Sequence, residues 1–198
     1  MSLGKQAKVL NKHQIKLMLN HLSTTRHPVR NQLIFLLSVK SGLRAKEIAS
    51  LRWEMLVDAT GSIGTSLHLT NDASKGDGGR IVPLNKDVVE FLGILFDTEQ
   101  DRLGFNITDN VIRTERSKST SSQAIVNLFS RWYKDLGFVG CSSHSGRRTF
   151  ITSIAKKISS VGGTLRDVQS LAGHRHLATT QLYIEVDTDC QRKLVDLI

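Results

Sequence analysis

The sequence predicts an α+β fold that is mainly helical, a helical domain with a small antiparallel β-sheet or hairpin inserted early. Apolar residues recur at helical spacing through most of the chain, whereas residues 53–83 have short strand-like runs separated by glycine-rich turns. Of the 198 residues, 39% are hydrophobic and 23% are charged, as in ordinary globular proteins. A chain of this length buries a core without disulfide or metal support.

The first helices are predicted from apolar spacing and from residues typical of helix ends. Asn11 and Gln14 have the spacing of a capping box at the start of a helix over 11–22. Pro28 breaks the chain before a helix over 29–40 that is apolar nearly all round, which predicts burial. Gly42 fits its C-terminus, and a short helix is expected over 45–51.

Three short strands follow, and then further helices. The strands are predicted at 53–57, 66–70 and 80–83, with 71–79 as a hairpin tip. Asn85 caps the next helix. Residues 113–122 are polar and predict a mobile loop. The remaining helices are expected at 122–136, 147–159, 164–172, 178–186 and 190–198.

Charge and composition favour some functional classes and exclude others. The 27 Lys and Arg residues outnumber the 18 Asp and Glu residues, which gives a net charge of +9. This surplus favours a polyanionic partner such as nucleic acid, with a merely basic surface as the alternative. No apolar run approaches the roughly 20 residues of a membrane span, so no membrane partner is expected. Cys141 and Cys190 form no C-x-x-C pair, which predicts a reduced, cytoplasmic protein.

Two short motifs combine basic side chains with helix starts. His144 and Arg147 lie at i, i+3 spacing near a predicted helix start, where backbone N–H groups favour an anion. Arg44 begins a short helix after Gly42, and Glu47 lies where it pairs with the Arg44 guanidinium. A solvated basic helix start and an ordinary surface ion pair are the alternatives.

Two further motifs supply a lysine, a histidine and a tyrosine. Lys75 lies in a glycine-rich hairpin that is equally well a flexible turn. Tyr183 follows His174 on a helix that begins with polar residues, so its hydroxyl is expected to face outward or to be the wet tip of a core residue. Tyr133 belongs to an apolar stripe and is predicted to be core. His174 and His176 suggest a metal, but no carboxylate or cysteine completes a ligand set, so we predict none.

Together and in this order, the motifs resemble those of the catalytic domain of the tyrosine recombinase (phage integrase) family. The matching residues are Gly42-Leu43-Arg44 with Glu47, Lys75, His144 with Arg147, and Gly173-His174 with Tyr183. Gly146 and Ala172 differ from the leucine and glycine common in the family, and Glu185 stands where many members have a histidine. None of these differences removes a catalytic position.

The resemblance implies site-specific cleavage and rejoining of DNA through a 3′-phosphotyrosyl intermediate, without metal, ATP or another cofactor. It implies Tyr183 as nucleophile, with the phosphate held by Arg44, Arg147 and His174. His144 would accept the tyrosine proton and Lys75 would act as general acid. Glu47 would orient Arg44. A type IB topoisomerase-like strand transferase and a catalytically silent DNA-binding module are the alternatives.

The expected partners are double-stranded DNA carrying recombination sites and further copies of the chain assembled on it. The C-terminal helix, 190–198, would dock on a neighbouring subunit or cap its own domain. Arg113, Arg116 and Lys118 are predicted to contact the DNA backbone. Residues 1–198 are expected to form one catalytic domain without a separate N-terminal core-binding domain. That would be similar to small single-domain inverting recombinases, with a piece cut from a longer protein as the alternative.

Overall fold

The described part of the chain, residues 6–73, 79–115, 117–183 and 195–196 of a computed structural model, consists of helices and one small sheet. The α-helices are α1 Lys12–Ser23, α2 Pro28–Ser41, α3 Ala45–Ala49, α4 Lys86–Gln100, α5 Ser122–Asp135, α6 Ser145–Lys157, α7 Leu165–Ala172 and α8 Leu177–Gln181. The strands are β1 Ser66–Leu69 and β2 Arg80–Pro83. The predicted fold class is therefore confirmed. None of the helices in these ranges has the length and apolar character needed to span a membrane.

Helix α2 forms the centre of the core and packs against α1, α4 and α6. Its segment Leu33–Leu37 is at most 1% exposed, which confirms the predicted burial. The helix ends at Gly42, whose φ of 66° lies in the left-handed region that glycine adopts without strain. This sharp end turns the chain directly into α3, whose N-cap is Arg44.

The predicted hairpin is present as an antiparallel pair of strands. Ser66 pairs with Pro83 and Leu69 with Arg80, and β2 also contacts α7. The hairpin tip, residues 74–78, lies outside the described residues, and Lys75 is one of these.

The predicted strand over 53–57 is wrong, because Trp53–Met55 is a turn of 3₁₀-helix. The Leu56 N–H donates to the Trp53 carbonyl over 2.9 Å, which closes the turn. The Trp53 ring packs 5.0 Å from the ring of Phe96. Alternate apolar residues satisfy a short helical turn as well as a strand, and tertiary packing decided between the two.

The later helices begin within two residues of the predicted positions. Ser121 caps α5 through the Ala124 N–H, and Thr164 caps α7 in a capping box with Asp167. Helix α8 covers Leu177–Gln181, and residues 182–183 form a turn. The rest of the helix predicted over 178–186 lies outside the described residues. The predicted helix over 190–198 lies outside the described residues, apart from residues 195–196.

A second, smaller apolar cluster lies beneath the end of α7. Ile151, Val168 and Ala172 are fully buried in it, and Tyr183 packs against it. The cluster holds α6 and α7 together, so that the motifs carried by α6, α7 and the chain after α8 meet on one side of the molecule.

Candidate active site

Three arginine side chains converge on the C-terminal end of α7. Each donates a hydrogen bond to one of three successive backbone carbonyls, in the pairs Arg80 Nε to Leu171 O (3.1 Å), Arg147 Nη2 to Ala172 O (2.6 Å) and Arg44 Nη2 to Gly173 O (3.3 Å). The last carbonyls of a helix lack intrahelical partners and carry partial negative charge. They therefore offset the repulsion between three cations that come from distant parts of the chain.

Arg147 is the most enclosed of the three, with 4% of the residue exposed. Its Nη1 donates to the Gly42 carbonyl over 2.6 Å, so the guanidinium bridges the end of α2 and the end of α7. Burial, followed by the charge of Arg44, lowers the pKa of Arg147 to about 10. The side chain therefore carries its positive charge at neutral pH.

Arg44 is held by Glu47, as the sequence predicted. Arg44 Nη1 donates to Glu47 Oε1 and the Arg44 backbone N–H to Oε2, both over 2.8 Å. Arg80 donates to both carboxylate oxygens as well, over 2.9 and 3.2 Å. Burial by itself would raise the pKa of Glu47, but the hydrogen bonds and charges of Arg80 and Arg44 outweigh it and lower this pKa.

His174 and Tyr183 lie beside the arginines as a stacked pair. Their ring centroids are 5.6 Å apart and the planes are inclined by 24°. His174 Nδ1 lies 2.9 Å from the hydroxyl oxygen of Thr180. Burial, followed by the charges of nearby arginines, lowers the pKa of His174 to about 4. The imidazole is therefore neutral at neutral pH.

A pocket of about 300 Å³ opens beside the Tyr183 ring. His144, Arg147 and Arg148 line it together with Tyr183. His144 is exposed at the N-cap of α6, with its backbone N–H donating to Ser142 Oγ over 3.3 Å. The His144 side chain is exposed, and Arg147 and Arg148 give the pocket positive charge, which suits an anionic group.

The structure thus brings together Arg44, Arg147, His174 and Tyr183, and His144 lines the pocket beside Arg147 and Tyr183. Lys75, which the resemblance implies as general acid, lies outside the described residues.

Sequence reasoning missed three side chains of this site. Arg80 donates to Glu47, and the Thr180 hydroxyl contacts His174. The guanidinium carbon of Arg148 lies 5.8 Å from the Tyr183 ring centroid, within cation–π range. Arg148 also donates to the side-chain oxygen of Gln6. An arginine next to Arg147 was a visible signal for the pocket. Nothing local in the sequence indicated Arg80 or Thr180.

The residues predicted to contact the DNA backbone differ in how far the structure exposes them. The Arg113 side chain is 17% exposed, and its Nη1 donates to Glu99 over 3.0 Å. Lys118 is exposed. Arg116 lies outside the described residues. In the described ranges, no group of three His, Cys, Asp or Glu side chains is placed to hold a metal ion.

The fold and the ordered motifs are those of a tyrosine recombinase catalytic domain. Comparison with protein-family models matches residues 8–189 to the phage integrase family. The chain belongs to this family.

Relatives of known sequence agree with this assignment. The chain is 28% identical over 186 residues to tyrosine recombinase XerA of Thermococcus onnurineus (strain NA1), which covers 94% of this chain and 61% of the relative. It is 28% identical over 202 residues to tyrosine recombinase XerC of Shewanella sp. (strain ANA-3), and this match covers 99% of this chain and 63% of XerC. The chain therefore spans about three fifths of the length of these curated relatives.

Solved structures share the fold. A crystal structure of XerA recombinase superposes with a TM-score of 0.70 at 24% identity, covering 96% of this chain and 64% of the other. The Tn1549 transposon integrase in complex with a circular intermediate DNA superposes with a TM-score of 0.76 at 17% identity. This match covers 100% of this chain and 68% of the integrase chain. The XerH recombinase bound to its difH substrate superposes with a TM-score of 0.73 at 19% identity, and the match covers 98% of this chain and 55% of XerH.

Proposed function

We propose that this chain is the catalytic domain of a site-specific DNA recombinase or integrase that cuts and rejoins strands through a 3′-phosphotyrosyl intermediate. The observation that carries the proposal is the convergence of Arg44 and Arg147 on successive carbonyls beside His174, whose ring stacks on Tyr183. The curated relatives are named tyrosine recombinases, and two of the structural neighbours are bound to DNA.

In the proposed reaction, the Tyr183 oxygen attacks the phosphorus of a DNA phosphodiester. A bond forms between the tyrosine oxygen and phosphorus, and the bond from phosphorus to the 5′-oxygen breaks. The phenolic proton leaves to a base and the 5′-oxygen takes up a proton, so a 5′-hydroxyl is released. The ester bond is conserved in the intermediate, and the reverse reaction therefore rejoins the strand without ATP.

The two guanidinium groups supply the charge that this reaction needs. Negative charge builds up on the non-bridging phosphate oxygens as the tyrosine attacks, and planar guanidinium forks bind such oxygens well. Arg147 is nearly buried, and charged donors that are fixed before the reaction stabilise a transition state more than mobile donors do. We therefore assign Arg44 and Arg147 to the phosphate.

The neutral imidazole of His174 adds a hydrogen bond to the same phosphate. If the Thr180 hydroxyl donates to Nδ1, the proton of the neutral ring resides on Nε2, which then donates to a phosphate oxygen. A neutral donor at this position leaves the nearby arginines as the charged groups that bind the phosphate.

His144 and Lys75 are assigned to proton transfer. His144 lines the Tyr183 pocket and is exposed, which suits a group that takes the phenolic proton and passes it to water. Lys75 is assigned to protonation of the leaving 5′-oxygen, on the resemblance alone. Double-stranded DNA with recombination sites is the proposed substrate, and residues 190–198 are the proposed contact between copies of the chain assembled on it.

The test is a covalent-adduct assay on a nicked duplex taken from repeats that flank the coding region. Wild-type protein is expected to give an SDS-resistant adduct, and Tyr183→Phe is expected to bind the duplex without forming one. The matched control is Tyr133→Phe, since Tyr133 is the other tyrosine of the chain and is a 2% exposed core residue. An adduct that persists in Tyr183→Phe refutes the assigned nucleophile. Binding by wild type without any adduct supports the silent DNA-binding module instead.

A further inference from the structure

We propose that Arg80, the first residue of β2, is a positioning residue for DNA cleavage. It neutralises Glu47, so that the carboxylate charge does not cancel the positive field of the Arg44 guanidinium at the phosphate. It also ties the base of the β1–β2 hairpin to the end of α7. This inference rests on the proposed function.

Arg80 makes a two-pronged contact with a buried carboxylate. Its Nη1 and Nη2 donate to the two oxygens of Glu47 over 2.9 and 3.2 Å, and its Nε donates to the Leu171 carbonyl over 3.1 Å. The Arg80 side chain is 7% exposed and the Glu47 side chain 1%. All three guanidinium nitrogens of Arg80 thus face the protein. Arg80 therefore acts through other residues and does not itself hold the phosphate.

The charge balance explains why the site needs this arginine. Three arginines surround the single carboxylate of Glu47, and positive charge is left over for an anion. Without Arg80, Glu47 would remain buried with Arg44 as its close charged partner. The uncompensated charge of Glu47 would then offset the charge of Arg44, which already lies 2.8 Å from it, and weaken the field of Arg44 at the phosphate.

The backbone at the end of α7 is shaped around the Arg80 guanidinium. Gly173 has a φ of 61°, and a Cβ built there would lie 2.7 Å from Arg80 Nη1. Gly173 immediately precedes His174, so this contact bears on where the imidazole sits. In the chain, Arg80 also follows the hairpin tip that contains Lys75. The Arg80 side chain therefore connects Glu47 of α3 with the end of α7.

Single-turnover adduct formation tests the charge argument with two variants and a control. Arg80→Gln is expected to slow the cleavage step about tenfold or more while the duplex affinity changes about twofold or less. Arg80→Lys restores the charge but not the fork, so its rate is expected to fall between those of wild type and Arg80→Gln. The control is Arg52→Gln, since Arg52 is half exposed and pairs with Glu54 on the surface. It is expected to cleave at the wild-type rate.

The double variant Arg80→Gln/Glu47→Gln separates charge compensation from simple scaffolding. It removes the buried carboxylate together with its partner, and it is expected to cleave about threefold or more faster than Arg80→Gln. A scaffolding role predicts the opposite, because the double variant loses further contacts. A double variant that is as slow as Arg80→Gln, or slower, overturns the proposal.

A measurement that needs no cleavage keeps this inference distinct from the proposed function. The pKa of Glu47, followed by the carbon signal of its carboxyl group in NMR, is expected to rise in Arg80→Gln and to stay unchanged in Arg52→Gln. An unchanged Glu47 pKa in a folded Arg80→Gln protein refutes the charge compensation. A wild-type protein that forms no adduct refutes the proposed function, whatever the Glu47 titration shows. Adduct formation at the wild-type rate in Arg80→Gln refutes the inference alone.

Discussion

At the scale of single residues, the chemistry of His174 depends on one hydroxyl group. Thr180 is fully buried, and its Oγ1 lies 2.9 Å from His174 Nδ1. A neutral imidazole carries one proton, and the partner of one ring nitrogen decides which nitrogen holds it. If Thr180 donates to Nδ1, the proton on Nε2 is available to a phosphate oxygen. A residue that does not touch the substrate then determines whether His174 acts as a donor.

We predict that Thr180→Val slows adduct formation about tenfold, because valine keeps the volume of threonine but removes the partner of Nδ1. Nitrogen NMR of the His174 ring is expected to show a single Nε2–H tautomer in wild type and a mixture in the variant. The control is Thr98→Val, which alters an exposed threonine of α4 and is expected to change neither result. A single tautomer that survives in Thr180→Val contradicts the assigned role.

At the scale of secondary-structure elements, the position of Arg147 depends on how closely α6 approaches α2. A Cβ added at Gly146 would lie 2.4 Å from Ser38 Oγ and 2.9 Å from Ser38 Cβ. The leucine common in the family does not fit at this position next to Ser38. The departure at Gly146 therefore removes no packing from this domain, since the helix backbones take up the space instead. The close contact helps to bring Arg147 within reach of the Gly42 carbonyl.

We predict that Gly146→Ala lowers the free energy of unfolding by about 1–3 kcal/mol, because the extra methyl group forces the two helices apart. Denaturant unfolding measures this change. The control is Gly93→Ala in α4, where an added Cβ meets nothing within 4 Å. Alanine there is expected to be neutral or to stabilise by up to about 1 kcal/mol. Equal effects at the two glycines would show that α2 and α6 do not depend on the close contact.

The sequence predicted contacts between residues close together in the chain, but not contacts between residues far apart in it. The capping box of Asn11 and Gln14 and the Arg44–Glu47 pair are local, since the partners are three residues apart, and both are confirmed. The contact between Arg80 and Glu47 joins residues 33 positions apart. No local pattern encodes such a contact, because it depends on how the start of β2 packs beside Glu47 of α3. The error at Trp53 has the same origin, since contacts distant in sequence decided its conformation.

At the scale of the whole molecule, the surroundings of His174 make the fold sensitive to acid. Burial, followed by the charges of the clustered arginines, lowers the pKa of His174 to about 4 from an ordinary 6.5. The unfolded chain therefore binds a proton at His174 between these two values while the folded chain does not. Glu47 acts in the same direction at lower pH, because its folded pKa also lies below the usual value. The contribution of His174 to stability is thus fully present above pH 6.5 and is lost as the pH falls toward about 4.

We predict that the free energy of unfolding of wild type declines steadily from about pH 6.5 to about pH 4, and that His174→Gln flattens this part of the curve. The physical reason is that glutamine binds no proton in either state, so the unfolded chain no longer takes up an extra proton at position 174. Urea unfolding at about half-unit steps of pH measures both curves. His68→Gln serves as the control, since His68 is exposed on β1 and its replacement is expected to leave the wild-type slope intact. Parallel curves for wild type and His174→Gln would mean that the folded chain accepts a proton at His174 as readily as the unfolded chain. Burial and the arginines would then not hold this imidazole neutral, and its assignment as a neutral donor to the phosphate would fail.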